Sequence, residues 1–532
     1  MSPRKSAERL NKKANKATII RRMANNERKF LHIPAANISL CARIRGTVGE
    51  EDIRRGIEAV SHIHPLLAAK VVYKSPEEAF FARGDPDSLQ LRTVRRDSDT
   101  QWFEEVLLEH RVPFDPSTGP MIRFILLASD QVSDLVIFSQ HAICDGTALV
   151  LLLRDILNHA YNPAGEIKEI PPPLITDFIP PEKGGFRQRF VKGYSMGIIN
   201  KRWQKSPHFF DHQDFLAIHR AFWNKYAYHI ILFELDADQT DILHSACREH
   251  GVTIGSAITM AFLAAWQDVL EERKREVRQG TADEAGEKGK ENPGGGAADV
   301  TRSAGEPGEN TENENEQGAP GTHCGEHTIV LPYDLRNRLE RAVGDVFCLF
   351  VGSIQVKCTY DRRKPFWGNV QEFHAVTRQK IEAREFFGPA LDIERFDPTL
   401  MDAFMSYTLL AGDVPEDDPR YEKLSSFAED TGNIAHLLAR RTLSLLPEII
   451  NTNMGRAQIP DNIGDLQIEE LYVAPSANTT SLVLGGIGTA HSVTFTINIL
   501  TEKGTEQEKV EEAKKIRDRA LEYIGFSGKE QG

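Results

Sequence analysis

The sequence predicts a mixed α/β protein, and three observations carry that prediction. Short β-prone apolar runs alternate irregularly with stretches of helical periodicity. Hydrophobic residues make up 40% of the chain, too many for a wholly disordered polymer. The 532 residues are enough for two or three folded units, or for one large two-lobed body. No fixed-period repeat runs through the chain, and clean parallel βαβ signatures are few.

The elements follow in order. Residues 31–44 alternate loosely and predict a strand region. Residues 50–64 carry Ile53, Ile57, Val60 and Ile63 on one stripe, a helix that His64-Pro65 ends. Residues 70–73 predict a strand and 104–108 a helix. The turn-rich Phe114–Pro120 segment precedes two apolar runs, 121–128 and 135–139, which predict a hairpin of adjacent core strands. Residues 146–157 then carry Ala148, Leu149, Leu152, Leu153, Ile156 and Leu157 on one helical face. Residues 161–215 read as a long connection with a helix over 186–203. Beyond it come a strand at 229–235 and a helix at 237–250 that Gly251 stops. Thr253 caps the next helix, which runs to about Val277. After position 326 the pattern predicts strands at 328–332 and 353–358, helices at 369–385 and 431–446, and strands at 466–473, 481–484 and 492–499. Gly485–Gly488 reads as a turn, and 507–524 as a charged amphipathic helix.

Two segments stand apart. The first 29 residues hold ten Lys or Arg and two acids, which reads as a flexible basic tail. Residues 279–326 hold 11 Gly and 3 Pro with almost no aliphatic side chains. Such a stretch cannot bury enough surface to offset the entropy of ordering it, so it reads as a disordered acidic insert within one domain.

Composition excludes several functions. The net charge is −13, which would repel nucleic acid or an anionic membrane. Six Cys with no CxxC pair give no disulfide framework, and this fits a reducing, cytoplasmic setting. No run of about 18 uncharged apolar residues predicts a transmembrane helix. No HExxH, phosphate loop, dinucleotide fingerprint or GxSxG elbow is present.

One motif is sharp: Gln140-His141-Ala142-Ile143-Cys144-Asp145-Gly146, between a β-prone run and an amphipathic helix. A histidine just past a core strand has its backbone fixed by the sheet, and Gly146 permits a tight entry into the helix. A neutral imidazole, with an unperturbed pKa near ~6.5, suits proton abstraction from an alcohol, amine or thiol. Two roles are open to Asp145: orienting His141, or pairing with a cation to brace the loop. Cys144 reads as a small buried filler rather than a nucleophile.

Taken with its flanks, this motif resembles the HHxxxDG signature of the CoA-dependent acyltransferase and peptide-synthetase condensation-domain superfamily. It is nearest in feel to the alcohol and polyketide-associated acyltransferases. Ser61–Leu67 resembles the family's early "rHPxLr" segment, and Phe114–Arg123 the stretch before the central strand pair. Pro332–Arg338 resembles the second-lobe "NxR" or "DLR" element, and Asn451–Gly455 a later "SNxG" segment. The resemblance covers residues 26–500 apart from the insert. Gln140 departs from the family's first histidine, and the plant branch's DFGWG element is absent.

The resemblance implies an α/β (α+β), two-lobed chloramphenicol-acetyltransferase-like fold, with two mixed-sheet lobes, helices and an interlobe tunnel. The N-terminal lobe with its crossing connection would span 30–215. The C-terminal lobe would span 216–525, interrupted at 279–326. His141 would be the general base of an acyltransferase (EC 2.3.1.-). Asp145 would be structural, partnered by Arg336 in a bidentate pair, and Gly146 would be the motif glycine. Gln140 and Asn453 are candidate substrate or tunnel residues, although an Asx turn suits Asn453 better. The donor would be an acyl-CoA, or an acyl-carrier protein acting as partner, and the acceptor a small or lipid-like alcohol or amine. No permanently bound cofactor or metal, no nucleic acid and a monomeric state are expected. Two alternatives remain: a carrier-protein-dependent condensation enzyme, and a non-catalytic two-lobe scaffold, which Gln140 favours.

Overall fold

A computed structural model describes residues 17–162, 165–180, 186–288, 325–443, 445–478, 482–490 and 492–526. Two six-stranded mixed sheets organise it. The first has the strand order Asn462–Ile463, Leu466–Ala474, Asn37–Arg45, Val132–Gln140, Ile122–Ala128, Leu91–Arg95. The second runs Val351–Cys358, His327–Asp334, Ile449–Arg456, Leu482–Gly488, Val493–Glu502, Tyr226–Leu235. A three-stranded sheet of Ile19–Arg22, Glu78–Ala82 and Lys70–Ser75 flanks them. This is the two-lobed α/β arrangement that the resemblance implies.

The strand before the motif sits inside its sheet. Val132–Gln140 pairs antiparallel with Asn37–Arg45 on one side and with Ile122–Ala128 on the other. Eight of its nine residues are buried, as a strand covered on both faces requires. Its buried Asp134 is met by Arg43 Nε at 3.0 Å and Arg96 Nε at 2.8 Å, so the central strand carries no unpaired charge. The Gly146–Tyr161 helix that follows packs against the Glu50–Ile63 helix. A Cβ at Gly56 would lie 2.4 Å from the carbonyl oxygen of Ile156, so only glycine allows that approach. His64, at the end of the Glu50–Ile63 helix, reaches Asp155 across the same contact, with Nε2 3.3 Å from Oδ2.

Several boundaries differ from the sequence expectations. Residues 19–28, expected within a flexible tail, form a strand and a short buried helix, Asn25–Arg28. Two of their three basic groups are paired: Arg21 with Glu27 at 2.8 Å, and Arg28 Nε with Asp402 at 2.9 Å. Residues 1–16 lie outside the described residues. Leu466–Ala474 belongs by sequence to the C-terminal lobe yet pairs with Asn37–Arg45 in the first sheet, Leu471 opposite Ala42. The strand therefore crosses the division at 215/216, which itself falls inside the His212–Lys225 helix. Of the expected insert, 279–288 continue the Ile254–Lys288 helix and Gly325–Glu326 lead into a strand; 289–324 lie outside the described residues. Gly485–Gly488 is strand, not turn. A Cβ at Gly485 would lie 2.8 Å from the Val473 oxygen and 2.7 Å from Thr496 Oγ1, so glycine here serves close packing.

Among the described residues no single helix is long and apolar enough to cross a membrane. No group of three or more His, Cys, Asp or Glu among them is placed to hold a metal ion.

Candidate active site

Residues 141–145 form the turn between the buried strand and the Gly146–Tyr161 helix. The sheet fixes the turn's start: Gln140 N donates to Met121 O at 3.0 Å, and His141 N to Ala36 O at 2.9 Å. The His141 ring then folds back over its own turn. Its Nδ1 lies 2.7 Å from the carbonyl oxygen of Cys144. A carbonyl can only accept, so the contact assigns the proton to Nδ1 and leaves the lone pair on Nε2. That Nε2 has no hydrogen-bond partner among the described residues, and the ring is partly exposed. Phe30 stacks on the imidazole, centroids 4.4 Å apart and planes 17° apart. Desolvation lowers the pKa of His141 and nearby Lys29 adds to that; the Cys144 hydrogen bond and Asp145 pull the other way. The net shift keeps the ring neutral near pH 7.

Asp145 does not orient His141. It is buried and its oxygens are fully used: Ala148 N donates to Oδ1 at 2.8 Å, capping the helix, and Phe350 N donates to Oδ2 at 2.6 Å. Arg336 Nη1 meets both oxygens, at 3.1 and 3.0 Å. The expected pair is therefore present, but a single guanidinium nitrogen makes it rather than a two-nitrogen fork. Nη1 also donates to Asp334 Oδ1 at 2.7 Å, and Nη2 to the Cys348 and Val346 carbonyls at 2.7 and 3.2 Å. This network joins positions 191 residues apart and ties the motif turn to the second lobe. Those carboxylates hold the Arg336 pKa up against desolvation, and burial raises that of Asp334.

The remaining candidates separate. Gln140 is buried, and its amide is wholly structural: Nε2 donates to Phe30 O at 2.6 Å, and Oε1 accepts from Ala142 N at 2.6 Å. It is a brace that holds Phe30 against His141, not a substrate contact. Gly146 makes room for a residue of the second lobe, since a Cβ there would lie 2.7 Å from Met454 Sδ. Asn453 Oδ1 accepts from Gly455 N at 2.8 Å, the Asx-type turn expected for it. Cys144 is fully buried, its Sγ 3.1 Å from Ser139 Oγ, and burial drives its thiol pKa well up, so it is not a thiolate nucleophile. Sequence reasoning missed Phe30, Lys29 and Phe350, which carry no motif, and gave no role to Met454, which lies within the Asn451–Gly455 segment; each reaches the site through folding from a distant segment. A separate cleft of 560 Å³, lined by Arg43, Arg96, Val132 and Glu470 among others, opens at the far end of the strand that leads to His141.

No family model and no curated protein sequence matches the chain. Solved structures do. The trichothecene 15-O-acetyltransferase from Fusarium sporotrichioides superposes with a TM-score of 0.59 at 11% identity, covering 94% of each chain. Polyketide synthase associated protein 5 from Mycobacterium tuberculosis gives 0.54 at 13%, covering 96% of this chain and 99% of that one. The first condensation domain of the CDA synthetase gives 0.51 at 12%, covering 96% and 97%.

The chain shares the fold of this acetyltransferase, this polyketide synthase associated protein and this condensation domain.

At such identity the likeness is one of architecture, and it extends over nearly the whole chain. Within that acyltransferase and condensation fold, the turn of His141 lies where the lobes meet, since Asp145 bonds Arg336 and Phe350 while Gly146 abuts Met454.

Proposed function

We propose that the protein is an acyltransferase in which His141 is the general base, moving an acyl group from a thioester to a hydroxyl or amine. The observation that carries this is the imidazole itself: Nδ1–H is spent on the Cys144 carbonyl, and the Nε2 lone pair is left unpartnered at the lobe seam. The acceptor proton passes to Nε2 as the acceptor oxygen or nitrogen attacks the thioester carbonyl. The C–O or C–N bond forms, the C–S bond breaks, and the leaving thiolate takes the proton back from the imidazolium. Electrons and protons balance without an acyl-enzyme, in keeping with the buried Cys144. Positioned proton transfer of this kind contributes about 10²–10⁴ in rate, and holding both reactants at one seam adds to it. The Ala148 N–H is held by Asp145 and so is not an oxyanion donor.

The neighbours support the reaction class: one is described as an O-acetyltransferase and another as a condensation domain. The donor in this reading is an acyl-CoA or a carrier-protein thioester, with a carrier protein as partner in the second case. The scaffold alternative drew on Gln140, and that residue is accounted for as a structural brace. The test is mass spectrometry of products from a panel of acyl-CoAs and acyl-carrier proteins with alcohol and amine acceptors. Transfer that collapses in His141→Ala supports the reading. Transfer unchanged in H141A, or none with any donor, rejects it.

A further inference from the structure

Beside the imidazole stands a cation with no counter-ion at ion-pair distance among the described residues. Lys29 closes the short Asn25–Arg28 helix. Its Nζ lies 4.6 Å from the centre of the Phe30 ring, which in turn is stacked 4.4 Å from the His141 ring. The ammonium is thus at most about 9 Å from the imidazole centre, the two spans laid end to end, a range over which partly buried charges couple.

The neighbouring basic groups behave differently. Arg21 pairs with Glu27 and Arg28 with Asp402, both well buried. Lys29 has no carboxylate within ion-pair distance among the described residues. The carboxylate that acts on it most, Glu394, is engaged elsewhere and accepts from Asn26 N at 2.9 Å. Burial pushes the Lys29 pKa down to about 8, so roughly nine-tenths of it is charged at pH 7. A partly buried ammonium that rests on an aromatic face, with no carboxylate at ion-pair distance among the described residues, is a site prepared for an anion.

We propose that Lys29 is a specificity-determining residue that receives a carboxylate carried by the substrate, next to the bond being made at His141. This rests on the acyl-transfer reading for the identity of the substrate, but not for the anion site. The pantetheine arm keeps the phosphates of a CoA donor well away from the reacting thioester. An anion this close to the imidazole therefore belongs to the acyl group or to the acceptor. An ion pair formed only once substrate is bound neutralises Lys29 and withdraws the positive field that depresses His141, so the base strengthens when the correct substrate arrives.

The test uses the full-length protein, Lys29→Met and Lys29→Arg. Donors are compared as a matched pair, succinyl-CoA against butyryl-CoA, and acceptors as another, a hydroxy acid against its amide. The expected result is a preference of about ten- to a hundred-fold in kcat/KM for the carboxylate member of one pair, lost in K29M and retained in K29R. The pair that shows it says which substrate carries the anion. No preference in the parent, or one that survives in K29M, overturns the proposal. So does an equal loss for both members in K29M, which would make Lys29 a scaffold residue.

A second readout does not depend on transfer. The charged groups acting on His141 are Asp145, which raises its pKa, and Lys29, which lowers it. An NMR titration of the His141 ring should therefore move upward in K29M, and upward in the parent on adding succinate, with no succinate effect in K29M. If this response is seen while no donor supports transfer, the acyl-transfer reading fails and the anion site stands. If transfer is seen and the titration is silent, the anion site alone fails.

Discussion

Two regions lie within a few ångströms of the same strand end and treat imidazole in opposite ways. In the interior, His110 is filled from the acceptor side. Asn37 Nδ2, in register with Gln140, donates to His110 Nδ1 at 3.4 Å. Its lone pair is consumed by a protein donor. At the turn, the protein instead supplies His141 with an acceptor, the Cys144 carbonyl, and leaves the lone pair open. Burial lowers the pKa of both. The difference teaches that a depressed histidine is a base only where the protein satisfies its N–H and not its lone pair.

Breaking the contrast at the turn gives the largest expected effect. His141→Ala should lower kcat by about 10²–10⁴ with an unchanged unfolding midpoint, whereas His110→Asn should lose stability and keep its turnover per folded molecule. Equal kinetic damage from both would dissolve the distinction.

Next comes the anchor under the turn. Asp145→Ala leaves Arg336 buried with only Asp334 as carboxylate partner and strips Phe350 N of its acceptor. Urea titration should show a loss of about 3–5 kcal/mol, with activity falling alongside. An unaltered midpoint would show that the inter-lobe pair does not hold the fold.

The third effect sharpens the interior side of the comparison. Burial drives the pKa of His110 down to about 3 and that of His219 to about 4. Each is neutral in the folded state over a range where the unfolded chain, near ~6.5, binds a proton. Their stabilisation is complete above that value and is lost as pH falls from there toward 4 and then 3. Thermal unfolding from pH 7 to 4 should show a falling midpoint that flattens in His219→Gln, whose amide nitrogen still offers a donor to the His110 carbonyl. A midpoint independent of pH would contradict it.

The smallest effect tests the seam itself. Gly146→Ala places a Cβ against the flexible end of Met454, so it should cost about 1–3 kcal/mol and be relieved in the double variant with Met454→Ala. Additive losses would mean that the two residues do not share that space.

The local pattern made the strand, turn and helix around His141 legible, because apolar periodicity and a glycine report directly on nearby backbone. The hairpin of 121–139 was readable for the same reason. Ile449–Arg456 was not read as a strand, since Asn451, Asn453 and Gly455 are poor β-formers and pairing with Leu482–Gly488 decides the matter. The helices between Gly388 and Leu410 were likewise invisible. Their apolar faces have meaning only against residues 25–32, as in the bonds from Asn25 Nδ2 to Phe396 O and His32 Nδ1 to Tyr407 OH.

By itself the sequence determined the mixed α/β class of fold and singled out His141, which short contiguous patterns express; the pairing of Asp145 with Arg336, 191 residues away, was implied only by the family resemblance. Only the folded chain decided which imidazole nitrogen is free, that Gln140 is a brace, and that Phe30 and Lys29 stand at the ring. Those outcomes depend on hydrogen-bond direction and on the meeting of segments hundreds of residues apart, and neither leaves a periodic trace along the chain.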